Sequence, residues 1–526
     1  MSKTIQWYIL RDLLKVFGIT TMALAMILTL GSLVRPIQRF GVGPSQAVRL
    51  VAYMMPVTVT LVLPVAALFA AALTYGRFAT DNEYDACRAS GISPMEITYP
   101  GLLLACITGI CTLLMALHIM PYFVQMAERA INADLRRIVF RHLERFGYYR
   151  FGPSGAYTIY ADHADPKTGT LYGVVILQEG QDRIEQVLGA DLAQVFFERA
   201  GQLNKIRIVS SRPFQWDLTA GTQLQASAIS AAAIMEPLLT DKIVFKDVGQ
   251  INQIRANPLL YRPIQAQATD LWLQAIVEIL GGQIQQASQS GLAYRLTGPG
   301  LGCELKAGQA TVGKGRIEIA GPVELAIRPY QGPDTSTRWL ARWARLSIRY
   351  DGQAPVLVLE LDDARAVDGT GPITGPQLPP LEVPGPTLQI IGPPSSLAGI
   401  TSSKTKPGLS NPSPYFLDQL QTLDRSLRLL YAQIRAELHT RLAIGIACVP
   451  LVIIGIGLGI IKRGGHLLSA FAISCIPALV LVAAIVGGKG LAREPGGHNW
   501  LGLAIIWAGV AGMVAVAGWV YARLPR

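Results

Sequence analysis

The chain has 526 residues, of which 51% are hydrophobic and only 15% charged, and its formal net charge is +11. In a soluble protein such a basic surplus would raise the question of nucleic-acid binding. Here the surplus lies mainly outside the central polar segment, at helix ends and in short loops, where Lys and Arg reach lipid headgroups. The charge pattern therefore indicates a phosphate-bearing membrane surface as the partner, and no nucleic acid.

Six stretches of the chain contain no Lys, Arg, Asp or Glu, and three of them lie on each side of a long polar segment. A helix needs about 20 apolar residues to cross roughly 30 Å of hydrocarbon, so each stretch is long enough to span a bilayer. The predicted fold is an α-helical membrane protein with six transmembrane helices (3+3) and an all-β, jellyroll-like domain inserted between helices 3 and 4. The stretches are 16–34, 50–76, 97–127, 442–461, 464–488 and 495–522.

The short loops predict the orientation of the helices. With a cytoplasmic N-terminus, the inner loops carry nine Lys and Arg residues and the outer loops carry five, which follows the positive-inside rule. A basic run at 129–145 argues for the opposite orientation, although long domains translocate with little regard to charge. We therefore expect both termini in the cytoplasm and the large domain outside it.

Residues 1–127 are predicted to hold the first three helices, and 128–367 the outer β-rich domain. Within that domain, 128–147 has the apolar spacing of a basic amphipathic helix, and a second helical patch at 269–287 is weakened by Gly281 and Gly282. Residues 368–414 are rich in Pro and Gly, as in a linker, and 415–526 form a connecting helix and the last three spans. Alternating or β-branched runs predict strands at 156–162, 171–178, 184–188, 203–209, 243–248, 316–319, 323–327, 345–350 and 356–361.

The sequence argues against a metal or cofactor site and against a phosphate-binding loop. The six cysteines form no CxxC pair and no cluster with His, so neither a metal site nor another cofactor site is predicted. Residues 308–315, GQATVGKG, resemble the start of a phosphate-binding P-loop. A P-loop requires Ser or Thr after its lysine and then a helix, whereas Gly315 and a strand-like run follow Lys314, so a β-hairpin turn is the better interpretation.

The six apolar runs contain no carboxylate, Lys or Arg, and their histidines are His118, His466 and His498, each near the end of its run. Ion-coupled transporters place such groups within their spans. The chain therefore lacks visible machinery for ion coupling, and any work it performs must be powered by another protein.

The loop between the second and third spans is the best candidate for receiving that power. Thr80 and Glu83 have the spacing of a capping box, which predicts a cytoplasmic helix over about 80–90. Asp81, Glu83 and Asp85 would then present acidic groups to a groove on a partner. The alternative is that Glu83 only caps its own helix.

Arg35 closes the first span and directly precedes Pro36. A guanidinium at the edge of the hydrocarbon can bind a phosphate through two hydrogen bonds, so Arg35 is a candidate contact for a lipid phosphate. The alternative is an ordinary anchor among the headgroups.

Five segments of the chain resemble the LptF/LptG (YjgP/YjgQ) permeases, the membrane subunits of the ABC exporter for lipopolysaccharide. The last of them is similar to the F-type member. They are YILRDLLK at 8–15, VLPVAAL at 62–68, DNEYDACRASGIS at 81–93, IRAELHTRL at 434–442 and GGKG at 487–490.

The resemblance implies a non-catalytic permease half of an inner-membrane complex. Its expected partners are a cytoplasmic, LptB-like ATPase dimer that hydrolyses ATP, a second LptF/LptG-type permease, and a periplasmic LptC/LptA-like bridge that receives lipopolysaccharide or a related glycolipid. Glu83 would lie in the coupling helix, and Arg35 would be the basic residue near the lipid phosphates. The domain is longer than one jellyroll requires; its core is expected at about 150–250, and 250–367 is a family-atypical extension.

Two functions are compatible with the sequence. The first is the export permease just described. The second is a membrane-anchored scaffold or adhesion protein whose helices only display an extracytoplasmic β-domain.

Overall fold

The computed structural model gives the chain twelve α-helices within the residues it describes. The helices are α1 (Ser2–Phe40), α2 (Pro44–Thr80), α3 (Glu83–Ala89), α4 (Pro94–Leu114), α5 (Met120–Ala133), α6 (Leu135–Phe146), α7 (Val248–Ala256), α8 (Arg262–Gln289), α9 (Gly385–Ile391), α10 (Pro414–Ile461), α11 (Leu467–Arg493) and α12 (Asn499–Ala522). The described residues are 2–40, 44–133, 135–151, 157–179, 184–200, 203–211, 213–217, 222–225, 228–235, 242–306, 308–329, 337–350, 354–362, 364–367, 378–391, 412–461, 467–494 and 499–523.

Six helical segments are long and apolar enough to cross a membrane, and each coincides with one of the six uncharged runs. The prediction of six apolar helices is confirmed. A π-helical turn, Met115–Ile119, joins α4 to α5, so the third segment is continuous. The segments are Lys3–Ser32, Val48–Thr80, Pro94–Ala130, Pro414–Ile461, Cys475–Arg493 and Asn499–Ala522.

The chain divides into two compact units, Met1–Ile251 together with Ala432–Arg526, and Asn252–Tyr431. In the first unit, glycines bring α10 against α2. A Cβ on Gly459 would lie 2.8 Å from the Ala72 carbonyl oxygen, and one on Gly455 would lie 2.7 Å from that of Leu68. Small residues allow this close backbone approach, which favours helix association in lipid.

The first unit also contains a sheet of eight antiparallel strands that follows α6. Its strand order is β1-β2-β3-β4-β5-β8, and β6 pairs with both β4 and β7. The strands are β1 (Tyr148–Phe151), β2 (Tyr157–Asp165), β3 (Thr170–Glu179), β4 (Ile184–Ala200), β5 (Leu203–Ser211), β6 (Phe214–Asp217), β7 (Thr222–Gln225) and β8 (Ala228–Met235).

One face of this first sheet forms a core. Tyr149, Ile159, Ile176 and Leu188 lie opposite one another on successive strands, as the alternation of side chains requires. They pack with Phe140 of the amphipathic α6. The apolar spacing that predicted a helix in this region therefore serves to cover the sheet.

The second unit holds another sheet of eight antiparallel strands, in the order β11-β12-β10-β9-β16-β14-β13-β15. Pairing of β12 with β13 closes six of these strands into a ring, which removes their free edges. The strands are β9 (Tyr294–Gly298), β10 (Leu301–Lys306), β11 (Gln309–Gly313), β12 (Arg316–Pro329), β13 (Thr337–Tyr350), β14 (Pro355–Asp362), β15 (Arg365–Ala366) and β16 (Leu381–Glu382).

The central helix of the second unit, α8, is longer than predicted. Gly281 lies against Val312 of β11, and a Cβ on this glycine would clash with the valine side chain. The glycine therefore permits helix and sheet to pack closely, and it does not interrupt the helix. The aromatic ring of Trp272, on the same helix, meets that of Tyr350 edge to face at 5.6 Å.

The expected strand at 243–248 is wrong. Ile243–Phe245 form a short 3₁₀ helix, and α7 begins at Val248.

The predicted linker contains structure, because β16 and α9 lie within its described part, 378–391. Residues 368–377 and 392–411 of that linker lie outside the described residues.

The glycine motif at 308–315 is a β-hairpin, as its sequence predicts. β11 and β12 pair across the turn, and Gly315 has a φ of 65°. The side chain of Gln274 binds this turn: its amide nitrogen donates to the Gly313 carbonyl at 3.1 Å, and its oxygen accepts from the Gly315 amide at 2.8 Å.

Candidate functional site

The seven-residue helix α3 connects α2 to α4 and has a fixed shape at both ends. Asn82, its N-cap, has a φ of 60°, and Gly91, just beyond its end, has a φ of 81°. The amides of Gly91 and Ile92 donate to the carbonyls of Arg88 and Cys87 at 2.9 and 3.1 Å, which closes the helix. Ser93 then accepts a hydrogen bond from the Glu96 amide and caps α4.

The predicted capping box is wrong. α2 continues through Thr80, whose hydroxyl donates to the Gly76 carbonyl at 2.8 Å. Glu83 is the first helical residue of α3, and the N-cap Asn82 makes no side-chain cap. Left-handed geometry is tolerated by Asn, so the turn forms at that residue, two positions later than expected.

Tyr84 anchors α3 to the apolar helices, since its side chain is 0% exposed. It belongs to a core cluster contributed by α1, α2, α4 and α10. A displacement of α3 must therefore disturb the packing of all four helices, because cores are close-packed and transmit strain. The cluster comprises Ile9, Leu13, Ala67, Ala71, Tyr75, Phe78, Tyr84, Ile97, Leu104, Ala105, Val452, Ile456 and Ile460.

The three acidic candidates lie together at the start of α3. Asp81 is exposed, whereas Glu83 and Asp85 are half-buried. Burial, and then the charge of Glu83, raise the pKa of the Cys87 thiol one turn further along. The turn thus presents carboxylates on a helix whose opposite side is anchored by a buried aromatic ring.

Arg35 lies within α1, but its side chain is outside the described residues. Its contact with a lipid phosphate stays a prediction.

A cluster of charged side chains joins the middle of α10, just before its uncharged run, to the C-terminal end of α11. Glu437 is 5% exposed, and its carboxylate accepts from Arg441 Nε at 3.1 Å. Its second oxygen lies 2.6 Å from Lys489 Nζ and 4.0 Å from Arg493 Nη2. Three cations of two helices therefore surround a single carboxylate, and we refer to these four residues as the Glu437 cluster.

Arg441 also joins the Glu437 cluster to the chain that follows the first sheet. Its Nη2 donates to the carbonyls of Val244 and Lys246, each at 2.9 Å. One side chain, 3% exposed, thus binds α10 to the segment between β8 and α7.

Sequence analysis missed this cluster, although it had singled out both segments that form it. IRAELHTRL supplies Glu437 and Arg441, and GGKG supplies Lys489. A signal was available in the position of these residues, since each flanks an uncharged run. Their pairing depends on how α10 packs against α11, which no local pattern encodes.

Residues 7–242 of the chain match the family model for the lipopolysaccharide export system permease LptF/LptG. This part of the chain belongs to the LptF/LptG family. The match begins in α1 and extends through α3 and the first sheet. No curated protein matches the chain.

The matched segment is less than half of the chain, and the family that it matches consists of lipopolysaccharide export permeases. The six helices that are long and apolar enough to cross a membrane support a multi-pass membrane protein of this kind.

Proposed function

We propose that the chain is the permease half of an ABC transporter that extracts lipopolysaccharide, or a similar glycolipid, from the inner membrane. A separate, LptB-like ATPase dimer hydrolyses ATP in the cytoplasm, and a second LptF/LptG-type permease completes the membrane part. The extracted lipid passes to a periplasmic, LptC/LptA-like bridge. The observation that carries the proposal is the anchoring of α3 by Tyr84, which ties a short acidic helix to four apolar helices.

In this proposal α3 is the coupling helix. Asp81, Glu83 and Asp85 face a basic groove of the ATPase, and their charge orients the docking. Movement of the ATPase on binding ATP displaces α3, and Tyr84 passes that displacement to α1, α2, α4 and α10. Such a connection suits a permease that carries no energy source of its own.

Transport then requires two states of the lipid cavity with different affinities for the lipid. Binding of ATP favours the state that holds the acyl chains less tightly, and this difference gives export its direction. Arg35 contacts a lipid phosphate in the state that accepts the lipid. The helix order supports a 3+3 membrane topology, and the excess of Lys and Arg in the predicted inner loops supports cytoplasmic termini and a periplasmic β-rich region.

The first sheet, 148–235, is our candidate for the jellyroll core that receives the lipid from the membrane. It follows α5 and α6 directly and lies within the part of the chain that matches the family. The second sheet, with α8 as its central helix, is the family-atypical extension.

A charge reversal at Glu83 tests the coupling proposal. The variant Glu83→Lys should still enter the membrane but should retain at least tenfold less ATPase when the complex is purified, since the lost charge contact is replaced by repulsion. Glu96→Lys is the matched control, because Glu96 lies on the same connecting region, is exposed, and belongs to the first turn of α4.

Both variants should be compared in lipid export as well as in ATPase retention. Normal assembly and normal export by Glu83→Lys would remove this residue from the mechanism. If the wild-type chain bound no ATPase at all, the scaffold function would become the better account.

A further inference from the structure

The Glu437 cluster lies at the depth of lipid headgroups. Arg441 directly precedes the uncharged run 442–461, and Lys489 directly follows the run 464–488. Lipid phosphates lie where the hydrocarbon ends, and so does each end of an uncharged run. Basic pockets between transmembrane helices bind the headgroups of anionic lipids.

The cluster also carries excess positive charge. Arg441, Lys489 and Arg493 supply three cations, and Glu437 supplies the carboxylate between them, so the four groups have a surplus of two positive charges. The side chain of Arg441 is 3% exposed, that of Lys489 19% and that of Arg493 40%. Glu437 neutralises one of the three positive charges, so a second anion would stabilise this arrangement.

Unused hydrogen-bonding groups of this region lie on both helices. Among the described residues, the buried atoms Arg441 Nη1 and Arg493 Nε have no hydrogen-bond partner. Both are donors on cations, and buried polar groups normally have partners, which are often a bound ion or an ordered water. A phosphate supplies acceptor oxygens of the kind that these donors lack.

A pocket open to solvent is lined by Ala436 and Ala492, which directly precede Glu437 and Arg493 in the chain. Its space, open solvent included, is about 290 Å³, and its lining comes from α10, α11 and α12. Most of the lining is apolar, but Arg435 is exposed at the pocket, and the buried oxygen Asn499 Oδ1 lacks a donor. The lining residues are Ala432, Arg435, Ala436, Ala492, Asn499, Trp500 and Leu503.

We propose that the Glu437 cluster and this pocket bind the phosphate headgroup of an anionic lipid. The phosphate oxygens accept from the free donors of Arg441 and Arg493, and Lys489 adds its charge. A headgroup hydroxyl donates to Asn499, and the apolar lining accommodates the glyceryl carbons. On the proposed topology, this lipid belongs to the outer leaflet.

The test measures lipid retention by the full-length protein, purified from nanodiscs of phosphatidylcholine that contain a minor fraction of phosphatidylglycerol. Native mass spectrometry reports how much of each lipid stays bound. We expect phosphatidylglycerol to be enriched on the wild-type protein. Arg493→Gln, at a half-exposed position, should lower its apparent affinity about tenfold, the usual effect of losing one charge-assisted contact.

Two further variants separate a lipid site from a purely structural cluster. Glu437→Gln leaves three cations without their carboxylate, so the proposal expects phosphatidylglycerol to bind more tightly than to the wild-type chain. A structural cluster would give only a lower melting temperature. Arg523→Gln is the control, since Arg523 is an exposed cation beyond the other end of α12 and stacks on Trp519.

Equal retention of the two lipids, or an unchanged affinity in Arg493→Gln, would overturn the proposal. Displacement of phosphatidylglycerol by millimolar inorganic phosphate would also overturn the assignment to a lipid and identify free phosphate as the ligand. The experiment needs neither ATPase nor partner permease, so its failure leaves the proposed export function unaffected.

Discussion

At the scale of single residues, Tyr84 has the largest expected effect on the link between α3 and the membrane helices. It is fully buried among side chains of four other helices. Replacing a buried aromatic ring with Ala typically costs about 3–5 kcal/mol, because a cavity remains. We expect Tyr84→Ala to lower the melting temperature of the detergent-solubilised protein clearly and to reduce ATPase retention.

Tyr84→Phe is the matched control for this prediction. It keeps the ring and its packing, so its melting temperature and its ATPase retention should stay close to the wild-type values. Loss of ATPase retention in both variants, or in neither, would show that the packing of this ring does not support docking.

The location of the acidic residues could be predicted from the sequence, whereas their role in coupling stays a prediction. The acidic residues of 80–90 stand out because they interrupt an apolar sequence, and the structure places them at the start of a short helix. The capping box failed because Asn82 adopts a left-handed conformation, so the helix starts at Glu83. The spacing of Thr80 and Glu83 does not show whether the turn forms at Thr80 or at Asn82.

At the scale of helices, the approach of α10 to α2 depends on the absence of a side chain at Gly459. A Cβ there would lie 2.8 Å from the Ala72 carbonyl oxygen and 2.9 Å from the Gly76 amide nitrogen. Both atoms belong to the backbone, so the helices themselves would have to separate. We expect Gly459→Ala to destabilise the protein by about 1–3 kcal/mol, measured as a lower melting temperature.

Gly487→Ala in α11 provides the comparison, because a Cβ at that glycine meets no atom within 4 Å. It should leave the melting temperature unchanged or raise it, since Ala favours a helix over Gly. Equal effects of the two substitutions would mean that helix propensity, and not close packing, controls this region.

The start of α10 gives a second prediction at this scale. The Ser413 hydroxyl accepts from the Phe416 amide at 3.2 Å and donates to Glu278 of α8, whose carboxylate also accepts from the Ser413 amide at 3.1 Å. Ser413→Ala removes an N-cap that is typically worth about 1 kcal/mol. We expect faster amide hydrogen exchange in the first turn of α10.

Ser290→Ala is the matched control, because the Ser290 hydroxyl is exposed and donates to the Gln286 carbonyl at the end of α8. It removes a hydroxyl from the same unit without affecting α10. Unchanged exchange in Ser413→Ala would show that Pro414 and the packing of Phe416 fix this helix start without the cap.

Helices were easier to predict than strands, for a physical reason. Each apolar helix lacks charged residues over about 20 consecutive positions, so many positions support the same prediction. The 243–248 segment is short and β-branched, and such runs suit a strand or a buried turn equally well. Gly281 and Gly282 resembled a weak point in a helix because the strand that packs against Gly281 lies elsewhere in the sequence.

At the scale of the whole molecule, the β-rich region consists of two separate sheets in two units, whereas the sequence predicted one domain with an extension. The boundary depends on which strands pair, and pairing partners such as β9 and β16 lie far apart in the chain. Alternation within one strand reveals its faces but does not identify its neighbour. Closure of the ring requires β16 to pair with β9, and it was therefore invisible to sequence analysis.

Cys303 can report the integrity of the second unit. It lies in β10, is 1% exposed, and burial raises its pKa to about 11. Thiolate is the reactive form, so at neutral pH maleimide should label Cys303 more than about a hundredfold more slowly than an ordinary thiol with a pKa near 8.5. Labelling should accelerate when guanidinium unfolds the unit, as peptide mass spectrometry can measure.

Cys87 serves as the internal comparison for this experiment, since it is half-buried in α3 and lies in the other unit. If Cys303 were labelled as fast as Cys87 under native conditions, the second unit would open on the timescale of the reaction.

The ion pair between Glu437 and Lys489 has a consequence for constructing hybrids between permeases. Two segments 52 positions apart in the chain share one carboxylate, so neither can be replaced alone without leaving a charge unmatched. A chimera that takes only α11 and α12 from a relative should fold poorly unless that relative offers the same charges. Transferring α10, α11 and α12 as one block would preserve the arrangement.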